Sequence, residues 1–218
     1  MVSQLREPAP SATEMAHALA EQLLDRHGVV TRESVLAEGV RGGFAAVYPV
    51  LKAMEEAGRV RRGYFVAGLG AAQFALPGAI DRLRSTREAG DVPVAQGSSP
   101  TARAPEILVL AAADPAQPYG AALAWPGSSG RPSRSAGAYV VLAGGSPAAF
   151  LERGARSLVT FAEAGVWIDG LVSLVKDGRI RKVELTRIDG MPAADSPHAT
   201  ALRDAGFVDG YRGLTLRA

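Results

Sequence analysis

The sequence predicts an α+β protein in two parts, a helical part with one hairpin followed by a strand-rich part. Large apolar residues recur at helical spacing in the first 60 residues, whereas short apolar runs of strand length dominate after residue 105. Residues 89–105 contain three prolines, two glycines and two serines. Such a stretch buries too little apolar surface to compensate for the conformational entropy that it would lose on folding. We therefore expect a linker there, between domains at residues 11–88 and 106–218.

The first two helices are predicted from their capping residues. Ser11 or Thr13 is expected to cap a first helix, because each is followed by apolar residues at helical spacing. Gly28 is expected to end this helix. Thr31 is expected to cap a short second helix at Arg32–Glu38.

A third helix and a hairpin follow a glycine-rich turn at residues 39–43. The spacing predicts a helix over Phe44–Ala57, although Pro49 suggests that it begins near Tyr48. Two strands are expected at Arg59–Val66 and Gln73–Leu76, joined by a loop that contains glycine.

A last helix, Ala79–Arg87, completes the first domain. Three helices followed by a hairpin are the order of a winged helix-turn-helix domain. In such domains the third helix enters the major groove of DNA and the hairpin, or wing, lies beside it.

The second domain is expected to be small and β-barrel-like, with two inserted helices. Its short apolar runs are separated by turn signals such as DP, GSSGRP and GGSP, and one hairpin is expected across Gly144–Gly145. Many short strands favour a barrel or a strongly bent sheet. The predicted strands are Ile107–Ala111, Ala121–Trp125, Ala138–Leu142, Ala148–Glu152, Ser157–Phe161, Lys182–Ile188 and Leu214–Leu216, and the predicted helices are Gly165–Val175 and His198–Asp204.

Composition excludes several kinds of site. The chain has 218 residues, no cysteine and three histidines that lie far apart in the sequence, so we expect no metal site. No P-loop, GxSxG or HExxH motif occurs, and we expect no bound cofactor. No apolar run approaches ~18 residues, and no signal peptide is evident at residues 1–10, which favours a cytoplasmic protein without a membrane partner.

Basic residues around the third helix and the hairpin form the candidate nucleic-acid surface. Cations in this arrangement suit phosphate contacts; the alternative is that they are solvated charges. Neighbouring strand residues point to opposite faces, so at most one of Arg61 and Arg62 shares a face with Arg59. The third helix lacks Asn, Gln and Arg on its outer face, which predicts binding with little base readout. The candidate residues are Arg41, Lys52, Arg59, Arg61, Arg62 and Tyr64.

The second domain contains a further set of candidate residues. Asp114 is the candidate catalytic residue, since a carboxylate beside aromatic side chains could activate water at an unstacked nucleotide. Tyr119 and Trp125 are candidates for stacking on unpaired bases. The alternative is that Asp114 forms a turn before Pro115 and that the two aromatics close one end of the barrel. Phosphate contact and solubility are equally good explanations for Arg131 and Arg134.

Several segments together resemble the C-terminal end of the bacterial large helicase-related (Lhr) proteins, which are superfamily 2 DNA helicases. They are residues 27–78, DPAQPYGAALAWP at 114–126, residues 134–158 and RGLTLR at 212–217. The resemblance implies the last winged helix and the β-barrel module of an ATP-dependent 3′-to-5′ helicase involved in DNA repair. It also implies that the motor lies outside this chain.

The resemblance also implies partners and two alternative functions. The partners would be single-stranded DNA or an RNA:DNA hybrid, the helicase core of the parent protein, and further copies of the chain. One alternative is a DNA glycosylase-like module that excises uracil or damaged bases, although the glutamine-rich motif of such enzymes is missing. The other is an oligomerisation module. Whether this chain is itself an enzyme stays open, and we expect it to be non-catalytic.

Overall fold

The computed structural model describes residues 10–70, 72–90 and 105–217, and the chain divides into two compact units, Met1–Pro100 and Thr101–Ala218. Most of the predicted linker, residues 91–104, lies outside the described residues. Each unit is described separately below. In the part of the chain that the structure describes, no helix combines the length and the apolar character needed to cross a lipid bilayer.

The described residues of the first unit form four helices and a small sheet. Ser11 caps the first helix through a capping box with Glu14, and Gly28 ends it with a φ of 66°. Thr31 caps the second helix, where Ser34 completes a second capping box. The elements are α1 (Ala12–His27), β1 (Val29–Val30), α2 (Arg32–Ala37), α3 (Gly43–Glu56), β2 (Arg61–Gly63), β3 (Gln73–Ala75) and α4 (Pro77–Gly90).

Two helices begin earlier than the sequence predicts. Helix α3 starts at Gly43 and continues through Pro49, so the prediction that it begins near Tyr48 was wrong. Proline has no backbone N–H, so the helix loses one hydrogen bond at this position. The ring of Pro49 is exposed and therefore disturbs no packed face. Helix α4 starts at Pro77 rather than Ala79, because a proline in the first turn of a helix loses no intrahelical hydrogen bond.

The hairpin of this unit is shorter than predicted. Strand β2 covers three residues of the expected Arg59–Val66, and β3 pairs with both β2 and β1 in an antiparallel sheet of order β1-β3-β2. Phe74 on β3 is fully buried and contacts the rings of Phe44 and Tyr48 on α3. The sheet therefore packs against α3. Three helices with this hairpin form a winged helix, as predicted.

Residues 105–217 contain twelve further elements, of which two strands and one 3-10 turn were not predicted from the sequence. Both unpredicted strands are only two or three residues long, too short to show a clear alternation. A single 3-10 turn at Ala193–Asp195 precedes the last helix. The regular elements are β4 (Ile107–Ala111), β5 (Tyr139–Ala143), β6 (Ser146–Leu151), β7 (Ser157–Thr160), α5 (Ala164–Lys176), β8 (Lys182–Leu185), β9 (Arg187–Ile188), β10 (Met191–Pro192), α6 (Ala199–Asp204), β11 (Val208–Gly210) and β12 (Gly213–Arg217).

These strands form two open sheets, and no closed barrel is found in residues 105–217. One sheet has the order β10-β9-β7-β6-β5-β4 and the other has the order β11-β12-β8. The chain passes from one sheet to the other at Thr186, where the backbone N–H groups of Thr186 and Arg187 both donate to the carbonyl of Arg156. The barrel expectation was therefore wrong, whereas the α+β class and two helices among strands are confirmed. The predicted strand at residues 121–125 is a loop.

Helix α5 covers one face of the six-stranded sheet. A Cβ atom added at Gly170 would lie 2.6 Å from a methyl carbon of Val141 on β5, so the helix backbone approaches the sheet closely. Trp167 is fully buried in this core, and its indole N–H donates to the carbonyl of Ala162. This packing makes α5 the centre of the larger core of the unit.

The long loop between β4 and β5 covers the opposite face of the same sheet. Val140, Leu142 and Phe150 point to this face, and Tyr119 and Trp125 of the loop pack against them. The sheet is therefore buried on both faces by elements of very different kind, a helix and a largely irregular segment.

Candidate nucleic-acid interface

The wing presents two arginines that no carboxylate neutralises. Arg61 and Arg62 are exposed on β2, an edge strand, and no carboxylate of the described residues lies within ion-pair distance of either. Arg61 pairs with Ala75 and Arg62 with Phe74, so the two side chains lie on opposite faces of the sheet. The Arg62 guanidinium carbon lies 6.0 Å from the centre of the Phe74 ring, at the margin of the core.

Gln73 shapes the wing, a role that sequence reasoning missed. Its side chain is fully buried, and its Oε1 accepts hydrogen bonds of 2.8 Å from the backbone N–H groups of Phe65 and Val66. Its Nε2 donates to the carbonyls of Val66 and Gly70. One side chain thus satisfies backbone groups on both sides of the described wing loop.

Tyr64 lies immediately beyond β2 and is 77% exposed. The ring of its neighbour Phe65 packs instead over Gly63, where an added Cβ atom would lie 3.0 Å from the ring. The wing therefore exposes one aromatic ring beside Arg61 and Arg62 and partly buries the other.

Two of the predicted basic residues are already paired. The Arg59 guanidinium donates to a Glu21 carboxylate oxygen at 2.7 Å and lies 3.1 Å from the His17 ring on α1. The Lys52 ammonium lies 3.7 Å from Glu56, one turn further along α3. Arg59 therefore links the start of the wing to α1, and we remove it from the phosphate-contacting set because its carboxylate partner competes with phosphate.

Most exposed side chains of α3 are small and apolar, and the ion pair of Lys52 with Glu56 is exposed on the same helix. Ala45, Ala46, Pro49 and Ala53 are all exposed. Arg41 is also exposed, in the turn that leads into this helix. Grooves of about 570 Å³ and about 640 Å³ flank the helix and share Pro49 in their walls. The four apolar residues offer no hydrogen-bonding side chain to a base edge, and Lys52 is paired with Glu56.

In the second unit, the loop that carries Asp114 is fixed by hydrogen bonds. An Asp114 carboxylate oxygen accepts from the backbone N–H of Ala116 at 2.9 Å, which is an Asx turn at the following proline. The Arg134 guanidinium donates to the backbone carbonyls of Ala113, Asp114 and Gln117. Arg134 is therefore partly buried against this loop, and its donors are occupied without phosphate.

Gln117 fixes the same loop from inside. It is fully buried, its Nε2 donates to the carbonyls of Ala112 and Tyr119, and its Oε1 accepts from the Tyr119 N–H. Gln73 and Gln117 thus have equivalent roles in the two units. Each replaces the missing backbone pairing of an irregular loop.

Tyr119 and Trp125 belong to an aromatic cluster with Phe150 and Phe161. The Trp125 ring stacks on Phe161 with an interplanar angle of 11° and meets Phe150 edge-on. The Tyr119 hydroxyl donates to the carbonyl of Gly145, and burial raises the pKa of this tyrosine. This packing favours the structural explanation of the two aromatics. Arg131 is exposed on the same loop.

The described residues contain no group of three or more His, Asp or Glu side chains that could hold a metal ion. The sequence-predicted residues therefore divide into three sets. The wing set is Arg61, Arg62 and Tyr64. The second set is held by internal ion pairs, hydrogen bonds or ring packing and comprises Lys52, Arg59, Asp114, Tyr119, Trp125 and Arg134. The third set, Arg41 and Arg131, is exposed.

Comparison with known proteins identifies the first unit. Residues 9–95 match the model of the winged-helix domain of the Large helicase-related protein. A protein of Mycolicibacterium smegmatis named "Lhr helicase/ probable uracil glycosylase" is 46% identical over 99% of this chain. A protein of Escherichia coli named "Lhr helicase/uracil glycosylase" is 37% identical over 93% of it.

The matches cover 15% and 13% of the lengths of these two relatives, so this chain corresponds to a small part of each. The resemblance in the sequence is confirmed by these matches, which extend beyond the winged helix into the second unit. The chain belongs to the Large helicase-related family and comprises one of its winged-helix domains together with the α+β unit that follows.

Proposed function

We propose that this chain is an accessory module of an ATP-dependent Lhr-type DNA helicase involved in DNA repair, and that it binds nucleic acid with little sequence preference. The observation that carries the proposal is the wing, where Arg61 and Arg62 are exposed and have no carboxylate partner among the described residues. The two cations can therefore exchange bound counterions for phosphates without breaking an internal ion pair.

The apolar face of α3 supports the lack of sequence preference. Specific readout in the major groove requires Arg, Lys, Asn or Gln aimed at base edges. Ala45, Ala46, Pro49 and Ala53 supply none, and the one lysine of α3, Lys52, is paired with Glu56. Phosphate contacts made from the wing carry no base information. The favoured ligands are single-stranded DNA and RNA:DNA hybrids, contacted beside the helicase core of the parent protein.

The wing is tested by removing both of its arginines. We expect Arg61→Gln combined with Arg62→Gln to weaken binding to a fluorescein-labelled 20-nucleotide poly(dT) several-fold. The slope of log affinity against log salt should fall by about one to two units, because each lost phosphate contact removes about 0.7–0.9 units. Fluorescence anisotropy at several salt concentrations measures both effects.

Arg82→Gln combined with Arg84→Gln is the matched control, since these exposed arginines lie on α4 and the change in charge is equal. The control should retain the original slope. A wing variant that keeps the affinity and slope of the control would exclude the wing from the contact surface.

A glycosylase-like activity is the second candidate, because the names of both relatives include uracil glycosylase. Asp114 is the residue to test. Only the Oδ1 atom of its carboxylate accepts the hydrogen bond of the Asx turn. The Arg134 guanidinium donates to the backbone carbonyl of Asp114 and not to its carboxylate. A uracil-containing oligonucleotide treated with alkali after incubation should show strand cleavage that the Asp114→Ala variant lacks. Equal cleavage by both proteins would exclude Asp114.

A further inference from the structure

The three-stranded sheet of the second unit has one face in the core and one polar face. On the polar face Lys182, Val208 and Arg217 are exposed, whereas Glu184 is half-buried and Thr215 is buried. The pairing of β8 with β12 places Leu214 opposite Leu185 and Leu216 opposite Val183, and these side chains pack in the core. The alternate pairs, Thr215 with Glu184 and Arg217 with Lys182, therefore share the opposite face. We call the polar face, with its neighbours Arg156, Val208, Tyr211 and Arg212, the β8–β12 face.

Positive charge dominates the β8–β12 face. The Glu184 carboxylate accepts a 2.8 Å hydrogen bond from the Lys182 ammonium, so these two charges compensate each other. Lys182 holds the pKa of Glu184 below its usual range, against a small effect of burial, and Arg156 and Arg212 add to the lowering. Arg156 and Arg212 thus lie near a carboxylate that is already paired, Arg217 lies opposite Lys182 on the neighbouring strand, and all three arginines are exposed.

An aromatic side chain projects at the tip of the hairpin on this face. Tyr211 lies in the turn between β11 and β12 and is fully exposed, and Val208 on β11 is 63% exposed. No ring or hydrogen-bond partner holds Tyr211 among the described residues. An unsupported aromatic ring beside several arginines is the combination that binds single-stranded nucleic acid, in which arginines hold phosphates and a base stacks on the ring.

We propose that the β8–β12 face is a second contact site for single-stranded nucleic acid, with Arg156, Arg212 and Arg217 against phosphates and Tyr211 stacked on an unpaired base. The site lies in the second unit and none of the predicted candidate residues belongs to it. Its existence does not depend on the wing, since it is built from different residues of a different unit.

The test uses the whole chain and the same labelled poly(dT). We expect Arg156→Gln with Arg212→Gln and Arg217→Gln to weaken binding five-fold or more at moderate salt. The salt slope should fall by about two units, at about 0.7 units for each contact to a single strand. Tyr211→Ala should weaken binding several-fold at every salt concentration and leave the slope unchanged, because stacking releases no counterions. Tyr211→Phe should retain the binding of the original protein.

The matched control is Arg82→Gln, Arg84→Gln and Lys176→Gln, which removes the same charge from exposed positions on α4 and α5. The proposal is overturned if the triple arginine variant and the control bind alike, or if Tyr211→Ala binds like Tyr211→Phe. Binding to vesicles of phosphatidylserine and phosphatidylcholine is measured in parallel. The proposal is also overturned if the arginine variants lose affinity for these vesicles but keep their affinity for poly(dT). If the wing variant alone keeps full affinity, the wing proposal fails and this one stands.

Discussion

Single buried glutamines organise the irregular segments of both units. Gln73 bonds to the backbone on both sides of the wing loop, and Gln117 does the same for the loop that carries Asp114. A glutamine amide can donate and accept at once, so it can satisfy both kinds of orphan backbone group. The sequence signal for this role is weak, because an isolated glutamine beside a strand is equally common on a surface.

We expect the Gln73→Met substitution to make the wing loop less stable. The substitution keeps the volume of the side chain but leaves the N–H groups of Phe65 and Val66 without their acceptor. We expect a loss of about 1–3 kcal/mol in local stability. Amide hydrogen exchange at Phe65 and Val66, followed by NMR, should be at least ten-fold faster. Gln22→Met on the exposed side of α1 is the control, and equal exchange in both variants would contradict the role of Gln73.

Close backbone approach determines how individual elements pack. Helix α5 contacts β4 and β5 at Gly170, where no side chain separates the helix from Val109 and Val141. Gly165 lies in the same helix but has open space around its Cβ position. The two glycines therefore differ in structural role although both lie in a regular helix.

Gly170→Ala should accordingly destabilise the second unit by about 1–3 kcal/mol, since the added methyl group must displace α5 or Val141. Gly165→Ala should leave the stability unchanged or raise it by up to about 1 kcal/mol, because alanine favours the helix. Urea denaturation followed by circular dichroism measures both. Similar effects of the two substitutions would refute the close approach at Gly170.

Local signals in the sequence predicted most elements but not the way the strands associate. The caps at Ser11 and Thr31 and the hairpin across Gly144–Gly145 were correct because each depends on a few neighbouring residues. The parallel pairing of β7 with β9 joins segments about 30 residues apart, and no local pattern encodes it. For the same reason the pairing of Arg59 with Glu21 could not be anticipated, as 38 residues separate them.

At the scale of the whole molecule, each unit has its own hydrophobic core. The core of the first unit gathers residues between Leu19 and Leu76, and both clusters of the second unit lie between Ile107 and Leu216. We therefore expect fragments 1–100 and 101–218 to fold separately. Each should unfold in one cooperative thermal transition by circular dichroism. A fragment without such a transition would show that its core needs the other unit.

The methyl-lined surface of α3 has one consequence for a protein whose relatives are helicases. A nucleic-acid strand held by the wing would find the same apolar contact beneath every nucleotide, whatever its base. Moving the strand by one nucleotide would then break no base-specific hydrogen bond. Contacts of this kind would favour no base over another along the strand.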